Sequence, residues 1–170
     1  EGDTIVLAAG EHSLDFVINK SIHIIGAGKD ETIVNITVDI AGNLAAESII
    51  FEDLALVGPG GAASASGVGF QPSAALHIFQ CINCHITSIN TFFKGQVATT
   101  KPLEITIANS EIDTIGQFLI WVTAGSQTIK FNGKLESKLS ECFSCYFFVN
   151  GAILTASGIF GIVYVASKKK

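Results

Sequence analysis

The string Cys81-Ile-Asn-Cys84-His85 is the most chemically suggestive in this chain. Two thiols followed by an imidazole at this spacing form the attachment pattern of a c-type haem. That chemistry needs both thiols for the vinyl groups and His85 as axial ligand. A Met sixth ligand is excluded, because the chain contains no methionine. A second pair, Cys142-Phe-Ser-Cys145, lacks the histidine. Two CxxC pairs also suggest a tetrahedral zinc or a set of disulfides. Against these stands the role of cysteine as a small apolar filler. The expectation is that Cys81, Cys84, Cys142 and Cys145 are core thiols, with neither a metal nor a cofactor.

Carboxylates offer fewer openings. Only Glu52 and Asp53 are adjacent, and neighbours on a strand point to opposite faces, so they share a site only at a turn. Glu104, Glu111 and Asp113 could stack beside them; the plainer reading is a solvated acidic face. Gly26-Ala-Gly28 lacks the third glycine and the following helix of a nucleotide-binding loop, so it reads as a turn. Asn19-Lys-Ser21 and Asn35-Ile-Thr37 are N-glycosylation sequons, relevant if the chain passes a eukaryotic secretory route. Phe118 and Trp121 lie in an apolar run, Phe118 to Val122. They suit a core, a protein partner or a sugar-stacking platform.

Composition limits the classes. The chain has 170 residues, enough for one domain with a sizeable core. It is 48% hydrophobic and 15% charged, which excludes intrinsic disorder. Net charge is −5 and all ten cationic residues are lysines, which argues against a nucleic-acid binder. The absence of Met, even at position 1, suggests a mature chain or an excised piece, and no secretory signal or transit peptide is evident.

The elements that must position these residues are short runs of β-branched and aromatic residues ended by Gly, Asn or Ser. Thr4–Leu7, Phe16–Ile18, Ile22–Ile25, Ser48–Phe51, Leu103–Ile107, Phe118–Val122 and Thr128–Phe131 are of this kind. Internal repetition then selects a β-solenoid. The frame Cys81-Ile-Asn-Cys84-His-Ile86 returns as Cys142-Phe-Ser-Cys145-Tyr-Phe147 and Ile107-Ala-Asn-Ser110-Glu-Ile112, and more loosely as Phe51-Glu-Asp53-Leu-Ala-Leu56. Taking Asn19, Asp53, Asn83, Asn109 and Gly133 as equivalent corners gives spacings of 34, 30, 26 and 24 residues. Three short strands and three turns per coil need about this length. The 57 residues between Cys84 and Cys142 then place the two CxxC pairs about two coils, or about 10 Å, apart, too far for one zinc ion. Residues 57–73, rich in Gly, Ala and Ser, read as a long inter-coil loop.

Two segments carry a resemblance. Gly2-Asp-Thr-Ile-Val-Leu7, Gly10 and Val17-Ile-Asn-Lys-Ser-Ile-His-Ile-Ile-Gly26-Ala-Gly28 resemble the opening coil of pectin lyase-like right-handed parallel β-helices. Ile78 to Ile89 is similar to one of their interior coils. The resemblance implies that fold and an extracellular or cell-surface location. Its members include pectate lyases, polygalacturonases, epimerases, tail-spike proteins and surface proteins without catalysis, so it does not fix an activity. Lyases of the family rely on acidic calcium ligands and a base that is usually arginine, and this chain has no arginine.

The C-terminal part is apolar from Phe147 to Val165 and ends in three lysines, the form of a membrane helix with a stop signal. Gly151, Gly158 and Gly161 among β-favouring residues suit a last coil instead. The expectation is therefore an all-β, right-handed parallel β-helix over residues 1–170, with 147–167 as its last coil or, second, a membrane helix. Function is expected to be structural and non-catalytic, an extracellular assembly module that associates with itself or with other β-helix chains. The alternatives are a carbohydrate-binding or carbohydrate-modifying domain and a membrane-anchored ectodomain.

Overall fold

In the computed structural model, residues 2–15, 18–36, 40–41, 46–59, 66–71, 74–95, 101–122, 127–134, 146–149 and 153–157 are described. Their strands all pair in parallel and stack into a β-solenoid with three faces, and the described residues contain no helix. The first face is built from β1 (Asp3–Val6), β3 (Ile22–Ile25), β6 (Ser48–Glu52), β9 (Ile78–Ile82), β12 (Leu103–Ile112), β14 (Gln127–Lys134) and β16 (Ile153–Ser157). On the second face lie β2 (Gly10–Leu14), β4 (Thr32–Ile36), β7 (Ala55–Val57), β10 (His85–Thr87) and the end of β12, which turns the corner between the two. The third face holds β5 (Ile40–Ala41), β8 (Ser66–Gln71), β11 (Ile89–Gly95), β13 (Ile115–Val122) and β15 (Tyr146–Val149). Three successive central turns, from Ser48 to Val122, carry a strand on every face.

Register is set by columns of like residues. On the first face Ile24, Phe51, Cys81 and Ile107 are aligned and buried, while the alternate column, His23, Ile50, Gln80 and Thr106, faces outward and is half-buried. Alternation on a pleated strand produces this division. At the centre, five phenyl rings from adjacent turns (Phe51, Phe70, Phe79, Phe92 and Phe93) pack together, with Phe79 and Phe93 4.8 Å apart between centroids. All five are at most 1% exposed.

The corner between the first and second faces is a second set of columns. Gly26, Asp53 and Asn83 donate their backbone N–H to Glu52, Ile82 and Ala108 of the next turn, at 2.9, 3.1 and 2.9 Å. Asp53, Asn83 and Asn109 have φ of 54°, 51° and 53°, the left-handed region that Asn and Asp enter more readily than most side chains. Gly133 follows in the β14 register. The sequence expectation for Asp53, Asn83 and Asn109 is met, but Asn19 is not the first member of the column. That place belongs to Gly26, whereas Asn19 is exposed ahead of β3. Gly26 is required because a Cβ there would stand 2.2 Å from the Asp53 carbonyl oxygen.

Ser66–Gln71 corrects a second expectation, since this part of the supposed 57–73 loop is the strand β8. Its Gly67 and Gly69 conceal the pattern in the sequence. Gly69 leaves room for Ile89, whose Cδ1 would lie 2.5 Å from a Cβ, and Phe70 enters the core. Within the C-terminal stretch, Tyr146–Val149 and Ile153–Ser157 are strands on two different faces. No helix among the described residues is long and apolar enough to cross a membrane.

Candidate functional site

Chemistry-bearing side chains gather on the outer side of the second face. Register aligns Ile33, Ala55, His85 and Glu111 in one column and Asn35, Val57 and Thr87 in another. Both columns lie opposite the inward Val34, Leu56, Ile86 and Ile112, all buried. Asp113, just past β12, continues the second column. His85 Nε2 meets Asp113 Oδ2 at 3.0 Å, and the Thr87 hydroxyl donates to the other carboxylate oxygen. Burial works to raise the Asp113 carboxyl, but the hydrogen bonds from Thr87 and His85 outweigh it and hold it below the usual carboxylate range.

A fourth group arrives from far along the stack. Lys29 Nζ forms an ion pair with Glu111 Oε1. Lys29 precedes β4, and β12 is three strands farther along the same face, about 14 Å at the usual strand spacing. A lysine side chain does not span that distance, so the turn itself must lie along the outside of the face. Gly28 accepts from Glu31 and Thr32 at 3.0 and 2.8 Å, which closes the turn. Thr32, fully buried, receives Ala27 N–H and donates to the Ala8 carbonyl, which ties the turn to the first coil.

The other expected carboxylates do not join this cluster. Glu52 Oε2 pairs with His23 Nε2 at 2.9 Å on the first face. Asp53, at the corner, accepts from Asn83 Nδ2 at 2.5 Å, so the adjacent acids bond to different partners even though they stand at a turn. Glu104 lies on the first face in register with Ile78 and Thr128. What the sequence did not indicate was the role of Lys29, because nothing local links it to Glu111. The Gly26-Ala-Gly28 turn was the available signal.

Cys81 and Cys84 are free and fully buried, as expected of core thiols. Burial, with Cys84 beside it, pushes the Cys81 thiol well up. Cys84 Sγ lies 3.4 Å from the Ile82 carbonyl, and the equivalent Ser110 donates to the Ala108 carbonyl at 2.9 Å. The repeated frame therefore reflects one corner hydrogen bond made by either residue. Ser110 also accepts from Cys84 N–H, joining two turns. These inward thiols leave His85 on the outside, so the three groups do not converge as a haem attachment would require. Cys142 and Cys145 lie outside the described residues.

Of the remaining candidates, Asn19 is exposed and Asn35 is half-buried within β4. Phe118 is in register with Thr91 and Tyr146, and Trp121 with Lys94 and Phe148, so both stand on interior strands of the third face. At the first turn, β1 pairs with β3 alone among the described residues. Its Ile5 and Val6 are 38% and 74% exposed, the large apolar side chains most open to solvent among the described residues. No protein-family model, curated protein or solved structure matches the chain.

Proposed function

We propose that this chain is a structural β-solenoid of the pectin lyase-like kind that serves as an assembly module outside the cell or at its surface. The observation that supports this is that β1 pairs only with β3 among the described residues, with Ile5 and Val6 exposed on it. A parallel edge offers a row of free N–H and C=O groups to another chain. Ile5 stands in the same column as Ile24, Phe51 and Cys81, so it is a core position in a turn that the described residues cover on one side. Asp3 and His12 occupy positions whose counterparts in the next turn are the buried Ile22 and Val34. Such polar groups restrict the edge to partners able to meet them. The test is solution mass by light scattering across a concentration series, for the natural chain and for Val6→Lys. The expected outcome is a species heavier than the 17.9 kDa chain that Val6→Lys dissociates. A monomer at every concentration overturns the reading.

A second reading, a carbohydrate-binding or carbohydrate-modifying domain, draws on the Lys29, His85, Glu111 and Asp113 group. Its test is binding to an array of neutral and acidic glycans. Binding that Asp113→Asn and Lys29→Gln both abolish supports it, and no binding removes it.

A further inference from the structure

The polar group on the second face is local rather than part of a repeated ladder. The positions aligned with His85 and Thr87 in the two preceding turns are Ile33 and Ala55, and Asn35 and Val57. A ladder that only stabilised stacking would repeat from turn to turn, as the corner column of Gly26, Asp53 and Asn83 does. Here two bonded groups, Lys29–Glu111 and His85–Asp113–Thr87, stand at neighbouring register positions, with Lys29 carried in by a turn from three strands away.

His85 is held as a base is held in proton-transfer sites. With Nε2–H directed at the Asp113 carboxylate, the tautomer leaves the Nδ1 lone pair free, and none of the described residues bonds to Nδ1. The Thr87 hydroxyl fixes the second carboxylate oxygen, so the carboxylate cannot rotate away. Glu111, aligned with His85 on the next strand, brings the Lys29 ammonium to the same patch. His85 and Asp113 keep about a quarter of their side-chain surface open, so water and a small substrate can reach them.

The same molecule contains an internal control. His23 and Glu52 make a pair of nearly equal length and exposure on the first face, with neither a hydroxyl nor a lysine among the described residues bonded to its carboxylate.

We propose that the outer side of the second face is a general-base site for carboxylic-ester hydrolysis, with His85 as base, Asp113 and Thr87 as positioning residues and Lys29 as the cation beside the developing oxyanion. In the step, His85 Nδ1 takes a proton from water as the water oxygen bonds to the ester carbonyl carbon. The carbonyl electrons move onto its oxygen, towards Lys29. When the C=O re-forms, the C–O bond to the alcohol breaks, and the leaving oxygen takes the proton from His85. Acid and alcohol leave, and nothing is oxidised or reduced. This chemistry needs neither an arginine nor a cluster of aspartates. It does not depend on self-association.

The experiment is hydrolysis of p-nitrophenyl acetate by the full chain, with thermal melting recorded for every variant. His85→Gln should lower the rate at least about ten-fold, within the range by which a positioned base contributes. His23→Gln should leave the rate unchanged. Asp113→Asn should lower it and displace the pH profile of the rate, an effect that lost packing alone does not produce. Equal losses in His85→Gln and His23→Gln, or no loss in either, would overturn the proposal. Should His85→Gln melt early, Lys29→Gln gives the reading instead: a slower reaction at unchanged melting temperature supports the site, and an unchanged rate removes it.

Discussion

The turn formed by β9, β10 and β11 and the first turn, β1 and β2, follow one register yet differ in almost every physical respect. In the central turn Phe79, Cys81, Cys84, Ile86, Phe92 and Phe93 are all fully buried. In β1 every residue is exposed. Ile5 and Cys81 occupy the same column, at 38% and 0% exposure, so residue type does not decide burial in a solenoid. Neighbours on both sides do. Each interior turn is covered above and below, and a turn paired on one side keeps its pattern without its core.

Substitutions at the two levels should separate this difference, beginning with the core. Phe79→Ala removes a ring that touches four others and should cost about 3–5 kcal/mol in denaturant unfolding. Val6→Ala, its counterpart at the end, should stay within about 0.5 kcal/mol. Comparable losses at both sites would mean that the first turn is covered in solution.

Glycines give the next contrast. A Cβ on Gly58 would stand 2.2 Å from the Ser88 carbonyl oxygen, so Gly58→Ala should cost about 1–3 kcal/mol. Gly10 has no atom within 4 Å of such a Cβ, and its φ of 126° is the remaining obstacle. Gly10→Ala should therefore cost less, about 1 kcal/mol. Reversal of that order by urea titration would show that backbone conformation, not coil-to-coil contact, limits these corners.

Titration gives two smaller effects. Cys81 keeps its proton in the folded state, while an unfolded thiol releases it above about pH 8.5. Stability should be level below that pH and fall as pH rises beyond it, and Cys81→Ala should reduce the slope. Asp113 lies on the opposite side of the sign. Its folded value is lowered, so its contribution is present above the unfolded value of about 3.9 and lost as pH falls through the folded one. Because the pair is partly exposed, Asp113→Asn should cost only about 0.5–1 kcal/mol near neutrality, with a shallower acid limb. An unchanged acid limb would show that the carboxylate is unclamped in solution.

Much of the architecture was legible in the sequence. Ile22–Ile25 matches β3 residue for residue, and the frame shared by Phe51–Leu56, Cys81–Ile86 and Ile107–Ile112 marks equivalent corners in three successive turns. Those positions were readable because hydrophobic alternation and left-handed corners leave their mark on residue type. β8 was hidden, since Gly69 answers to close approach of the next turn and Gly67 to a left-handed φ of 69°, rather than to strand propensity. The place of Gly26 was hidden as well. Glycine occupies it because of the Asp53 carbonyl 27 residues later, and no local pattern records that contact.

The sequence by itself determined that the chain is all-β, that from Asp53 onward it coils at about 24–30 residues per turn, and that Cys81 and Cys84 face inward. Period and side-chain size are local properties that a repeat writes into every turn. Only the tertiary structure decided that Glu52 goes to His23, that Asp113 goes to His85 and Thr87, and that Lys29 crosses three strands to Glu111. These partners are set by stacking register and by the path of one turn over the outside of a face. Polar groups separated by 26 to 82 residues carry no sign in the chain of which neighbour the register will bring them.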